Sequence, residues 1–209
     1  MNYIDLLNDE RVIEIYKTID EDNPYPISHG MKHINTVVSN VEKLVKMFEL
    51  EEVDKENLLI ASVLHDVGRL TDRDNHAVAG EALIRELLGD SLDNNRIDEI
   101  VRIIANHGVN EENDSKDFLS KLLIFADKMD FSKKRLIDDY TKRYSNKIYE
   151  KIDDVVIDKI DEGIIVGVFI SNKDDVEAIE DHKIYIKVNK AIDILSKHLG
   201  KDVRIEYKY

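Results

Sequence analysis

The sequence predicts a mainly α protein, a helical bundle that carries a small C-terminal α+β appendage (β-β-α-β). Apolar residues recur at helical spacing through most of residues 1–149, both prolines fall in one short segment, and the pattern changes after about residue 150 to short strand-like runs around a glycine turn.

The elements follow in chain order. "DNPYPISHG" holds Pro24 and Pro26 and separates the first helical stretch from the second. Ile34, Val37, Val38, Val41, Leu44, Val45 and Phe48 share one face, so residues 31–49 read as an amphipathic helix. A third helix covers about Lys55 to Val67. A fourth starts near His76 and carries Ala79, Ala82, Leu83, Leu87 and Leu88 until Gly89 stops it. Ile97, Ile100, Val101, Ile103 and Ile104 form the stripe of a fifth helix that ends near His107-Gly108, and "DFLSKLLIFADKMD" (117–130) is a sixth. Helical character is expected to continue into the 130s and 140s.

Beyond residue 150 the period changes. "VVIDKI", then Asp161-Glu162-Gly163, then "IIVGVFI" reads as a β-hairpin with a glycine at its turn. A helix with Ile184, Val188, Ile192, Leu195 and Leu199 on one face stops at Gly200, and "DVRIEYKY" supplies a third strand. The chain thus divides into a helical body, 1–149, and an appendage, 150–209. Three strands bury little alone, so the appendage packs either on the body or on a second copy of the chain in a homodimer.

Composition narrows the function. The formal net charge is −14, from 44 acidic and 30 basic residues, and such a surface repels a polyanionic duplex. The one short basic run, "KKRL" at 133–136, is flanked by Asp130, Asp138 and Asp139. No nucleic-acid partner is expected. No apolar run approaches the roughly 18 residues of a membrane span, and the polar, acidic start from Met1 to Asp9 does not resemble a signal peptide. Cysteine is absent, which excludes disulfides and thiolate metal sites and fits a cytoplasmic location. Any metal must sit on His, Asp and Glu.

"LLIASVLHDVGRL" (58–70) places His65 and Asp66 side by side at the end of an apolar helix. Adjacent helical residues point about 100° apart, so both can reach one ion off the helix surface. Imidazole with carboxylate suits Mn, Fe, Co, Ni or Zn. Two ligands are too few. His33, early in the second long helix, can supply a third, and Asp127 in "LLIFADKMD" a fourth, since an aspartate in an apolar run needs a cation or hydrogen bonds. His29 reads as a residue behind the ligands or on the pocket rim, Asp130 most simply as a carboxylate on the helix surface, with orientation of a cationic neighbour as its alternative, and Lys32 as exposed more often than as a phosphate ligand. His182 and His198 have no ligand pattern around them.

His33 in "HGMKHINTVV", His65-Asp66 in "LLIASVLHDVGRL" and Asp127 in "LLIFADKMD" resemble the H…HD…D pattern of the HD-domain metal-dependent phosphohydrolase superfamily, over about residues 25–140. The resemblance implies that His33, His65, Asp66 and Asp127 ligate a divalent transition metal. "HAVAG" (His76, Gly80) and "IIANHG" (His107) are similar to later histidine segments of branches with an H…HD…H…H…D set. There His76 and His107 would hold a second ion, with Asp66 bridging; in a one-metal site they would bind substrate phosphate instead. One or two ions per chain are therefore expected.

The expected reaction is hydrolysis of a phosphate ester, in a nucleotide or another small phosphorylated metabolite, by metal-activated water. Asp66, Arg69 and Lys128 are the candidate catalytic residues. Arg69 stands where many members have lysine; it offers a fork of donors for a non-bridging oxygen but no acid or base near neutral pH. Two other readings stay open: a di-iron oxygenase on the same donor set, and a non-catalytic module in which the metal serves stability or ligand sensing.

Overall fold

The computed structural model describes residues 1–108, 117–137 and 148–209. Helices α1 (Tyr3–Leu7) and α2 (Glu10–Glu21) precede the proline segment, and α3 (Met31–Phe48) follows it. α4 (Glu52–Leu64) is the central helix of the body, with eight consecutive residues, Asn57 to Leu64, buried. It ends at Leu64 rather than at Val67 as expected, because a 3₁₀ turn, Val67–Leu70, takes the chain onward.

The fourth predicted helix is two pieces, α5 (His76–Ala79) and α6 (Glu81–Leu88), broken at Gly80. The break and the 3₁₀ turn explain each other. A Cβ on Gly68 would sit 2.0 Å from the His76 carbonyl oxygen and 2.7 Å from Gly80 N, so α5 lies directly on the turn that follows His65-Asp66. Gly68 is required by this close approach.

α7 (Asn94–Ala105) and α8 (Phe118–Lys128) complete the body. Asp117 caps α8 by accepting from the N–H groups of Leu119 and Ser120. The expected helix through the 130s is absent: residues Lys133–Arg135 form a 3₁₀ turn, and Leu136 makes an isolated bridge with Ile27. Ser132 closes that turn by accepting from Lys134 N, which ends helical continuity. The remainder of that prediction, residues 138–147, lies outside the described residues.

In the appendage, β1 (Asp154–Ile160) and β2 (Gly163–Phe169) form the predicted hairpin, with Ile160 opposite Gly163. A short α9 (Val176–Glu180) and a long α10 (Lys183–Leu199) lead to β3 (Asp202–Lys208), which pairs parallel with β2. The sheet order is β1-β2-β3. α10 is the crossover that a parallel β2–β3 pair requires. Its apolar face, with Val188, Ala191, Ile192 and Leu195 buried, packs on α8. Ile157, Val166, Val168, Val188 and Leu195 join Val37, Leu58 and Phe125 in one continuous core, so appendage and body share an interior.

Candidate metal centre

The site is assembled from the ends of elements. α2 positions its first edge: Asp20 accepts from Ser28 Oγ (2.6 Å) and His29 N (2.7 Å), and Ser28 Oγ accepts from Gly30 N (3.0 Å). This network fixes the turn into α3, whose buried face carries His33 one turn ahead of Val37. His65 and Asp66 stand at the end of α4, and Asp127 in the last turn of α8. His76 opens α5, and His107 follows α7. His33, His65, Asp66, His107 and Asp127 are all buried.

Five imidazoles form an arc. Ring centroids are 5.7 Å apart for His29–His33, 5.3 Å for His33–His65, 5.2 Å for His65–His107 and 5.1 Å for His107–His76. The tautomers follow from the acceptors behind them. His65 Nδ1 faces the Ser62 carbonyl at 2.9 Å, His76 Nδ1 the Arg73 carbonyl at 3.0 Å, and His107 Nδ1 the Ile104 carbonyl at 2.6 Å. A carbonyl oxygen only accepts, so each Nδ1 carries the proton and each Nε2 offers its lone pair to the interior of the site. His33 Nδ1 lies 2.6 Å from Asp130 Oδ2, and its Nε2 faces Asp127 Oδ1 at 3.2 Å.

Asp66 is the hub. Its Oδ2 lies 2.8 Å from His29 Nδ1 and 3.9 Å from both His33 Nε2 and His65 Nε2. Its Oδ1 lies 3.1 Å from His76 Nε2 and 2.8 Å from Arg69 Nε. The Arg69 N–H is not aligned on that oxygen, so this contact is an ion pair rather than a formed hydrogen bond. Lys128 Nζ pairs with Asp127 Oδ2.

Electrostatics keep the donors ready for a cation. Burial pushes Asp66 up, but Arg69, His65 and His29 outweigh it and hold the carboxyl well below the usual range. Burial is likewise outweighed at Asp127, by Lys128 and His33. Burial drives His65 down to about 4 and His107 down to about 3, and lowers His76. His33 differs: burial and Arg135 pull it down, yet Asp127 and Asp130 together raise it.

The residues fit a metal ion. His65 Nε2 is fully buried with no hydrogen-bond partner, facing Asp66 and Asp127 Oδ1 at 3.9 and 4.0 Å. An orphaned buried acceptor surrounded by carboxylates is costly unless a cation satisfies both. His76 Nε2 and His107 Nε2 stand 3.2 Å apart, lone pair to lone pair, which also calls for a positive charge between them. His33, His65 and Asp127 each bring one ligand atom within 4.8 Å of the others, and so do His65, Asp66 and His107, and His29, His33 and Asp66. Nitrogen and carboxylate donors suit Mn, Fe, Co, Ni or Zn.

All eight residues singled out from the sequence meet in this region: His33, His65, Asp66, Arg69, His76, His107, Asp127 and Lys128. Three others surround them, of which sequence reasoning missed Arg135. Asp130 is buried beneath His33 rather than exposed on a helix. His29 lies behind the ligands, with its Nδ1 on Asp66 Oδ2 at 2.8 Å. Arg135, within the basic run, is buried; it donates to the carbonyls of Ser28 (3.0 Å) and Asp130 (2.9 Å) and approaches His29 Nδ1 (3.2 Å) and His33 Nε2 (3.4 Å). No local pattern marks Arg135, because Ser28, His29 and His33 lie about a hundred positions away.

No curated protein matches the chain. The HD domain family matches residues 30–161, from the start of α3 through β1. Metal-dependent hydrolases make up most of that superfamily, and the match spans His33, His65, Asp66, His76, His107 and Asp127, with His29 just before it. The chain belongs to the HD domain family.

Proposed function

We propose that the protein is a metal-dependent phosphohydrolase acting on a phosphate ester, in a nucleotide or another small phosphorylated metabolite. The observation that carries this reading is the buried, unpartnered His65 Nε2 facing two carboxylates that are held ionised. When bound, a divalent transition metal supplies a water acidified toward neutral pH and a Lewis acid for phosphoryl oxygens.

His33, His65, Asp66 and Asp127 would hold the ion, and the hydrogen bonds behind the imidazoles keep their lone pairs aimed at it. His76 and His107, meeting on the far side of Asp66, support a second ion that shares this carboxylate. Arg69, 17% exposed, and Lys128, 20% exposed, stand between the buried donors and solvent. Each is anchored on a donor carboxylate and keeps further N–H groups for a phosphoryl oxygen. Burial of the cluster excludes bulk water and strengthens these charge contacts.

The test is hydrolysis of phosphomonoester and phosphodiester substrates by protein reloaded in turn with Mn, Co, Ni and Fe. Turnover abolished by chelation and by His65→Ala is expected. Metal binding without hydrolysis of either ester class would overturn the proposal.

A further inference from the structure

α10, although it belongs to the appendage, packs on α8, the helix that carries Asp127 and Lys128 in its last turn. The rings of Phe118 and His198 stack at 4.8 Å, and Lys121 Nζ approaches His198 Nδ1 at 3.4 Å. The first turn of α8 thus lies against the last turn of α10, and the two helices pack along their length. With equal rise per residue, an antiparallel pair anchored at Phe118–His198 brings Lys128 level with Val188 and Asp127 level with Asn189, so Lys187 lies one residue beyond the end of α8. Val188 is buried in the interface and Lys187, beside it, is exposed. Lys183 is exposed one turn earlier on the same side.

The charges agree with this placement. The Lys187 pKa is lowered, by partial burial first and then by Lys128, with Lys183 and Arg69 adding to the effect and Asp127 opposing it. Arg69 and Lys128 each have a carboxylate partner, Asp66 and Asp127. Lys183 and Lys187 pair with no carboxylate among the described residues. Two lysines without carboxylate partners beside Lys128 and Arg69 make a local positive patch, which favours an anion.

We propose that Lys187, with Lys183 beside it, binds a second phosphate of the substrate next to the one held at the His/Asp cluster, so that the substrate carries a diphosphate or longer phosphate chain. This rests on the phosphohydrolase reading above and deepens it. Lys187 is then a specificity residue supplied by the appendage. A monoester leaves it without a partner, and a diphosphate reaches it.

The test is calorimetric titration of metal-loaded protein with inorganic pyrophosphate and with orthophosphate, in excess magnesium so that neither probe strips the resident ion. Wild type is expected to prefer pyrophosphate. Lys187→Gln is expected to lose about tenfold in pyrophosphate affinity, the scale of one charge-assisted hydrogen bond, and under about twofold for orthophosphate. Lys187→Arg restores most of the loss. Lys197→Gln, at the far end of α10, measures the effect of removing one positive charge in general. Thermal melts confirm that each variant is folded. Equal losses for the two probes, no loss, or a loss matched by Lys197→Gln would overturn the proposal. Because binding is read without turnover, these outcomes are separate from failure to hydrolyse any phosphate ester, which bears on the phosphohydrolase reading alone.

Discussion

Asp130 Oδ2 sits 2.6 Å from His33 Nδ1, with both side chains shielded from solvent, so the imidazole is clamped from behind while its Nε2 faces Asp127. A carboxylate behind a ligand imidazole fixes the tautomer and raises the basicity of the other nitrogen. Asp130→Asn keeps the shape and an accepting oxygen but removes the charge. Metal affinity is expected to fall about 10- to 100-fold, read by titrating cobalt into metal-free protein, with an unchanged far-ultraviolet spectrum.

Metal removal will destabilise the fold. An ion that binds only the native state adds about 2.7 kcal/mol at a hundred times its dissociation constant. For a chain of this length that corresponds to a melting temperature roughly 5–10 °C higher than that of chelated protein. Calorimetric scans with and without manganese read the difference, and coincident melts would contradict it.

Gly68→Ala tests the seating of α5. The added methyl would meet the His76 carbonyl oxygen at 2.0 Å, and this neighbour is backbone that cannot rotate away. A loss of about 1–3 kcal/mol is expected from overpacking. The displacement acts on His76, so metal stoichiometry or affinity should fall with stability. An alanine variant as stable as wild type would show that the two backbones are further apart.

Acid will unfold the metal-free protein earlier than its carboxylates alone require. His65 is depressed to about 4 and His107 to about 3, chiefly by burial, whereas unfolded histidine titrates near 6.5. Between those values the unfolded chain binds more protons than the folded one, so stability rises with pH. The contribution is complete above about 6.5 and is lost as pH falls through the folded values. Urea midpoints of chelated protein should decline from pH 6.5 to pH 4, less steeply in His107→Gln. A flat profile would contradict burial of neutral imidazoles.

The donors of the site were legible because each breaks a local pattern. His65-Asp66 ends an apolar run, and Asp127 interrupts one. The residues that orient them were not. Asp130 meets His33 across 97 positions and Arg135 meets it across 102, and no spacing rule anticipates such pairs. Asp130 looked like surface because it follows the last turn of α8, where a carboxylate is ordinarily solvated. The break at Gly80 was hidden by helical periodicity on both sides. Its cause is a tertiary contact with Gly68. The strands of the appendage were plain from short apolar runs, a glycine turn and the alternation of the last one, but the place of α10 beside Lys128 follows only from its packing on α8.

The central claim, that the His/Asp cluster holds a divalent metal, is tested most directly by elemental analysis of protein purified without chelator. Wild type is compared with the His65→Ala, Asp66→Ala double variant after both are shown to be folded. Wild type should carry at least one transition-metal ion per chain and the double variant almost none. Equal metal content in the two proteins would contradict the account.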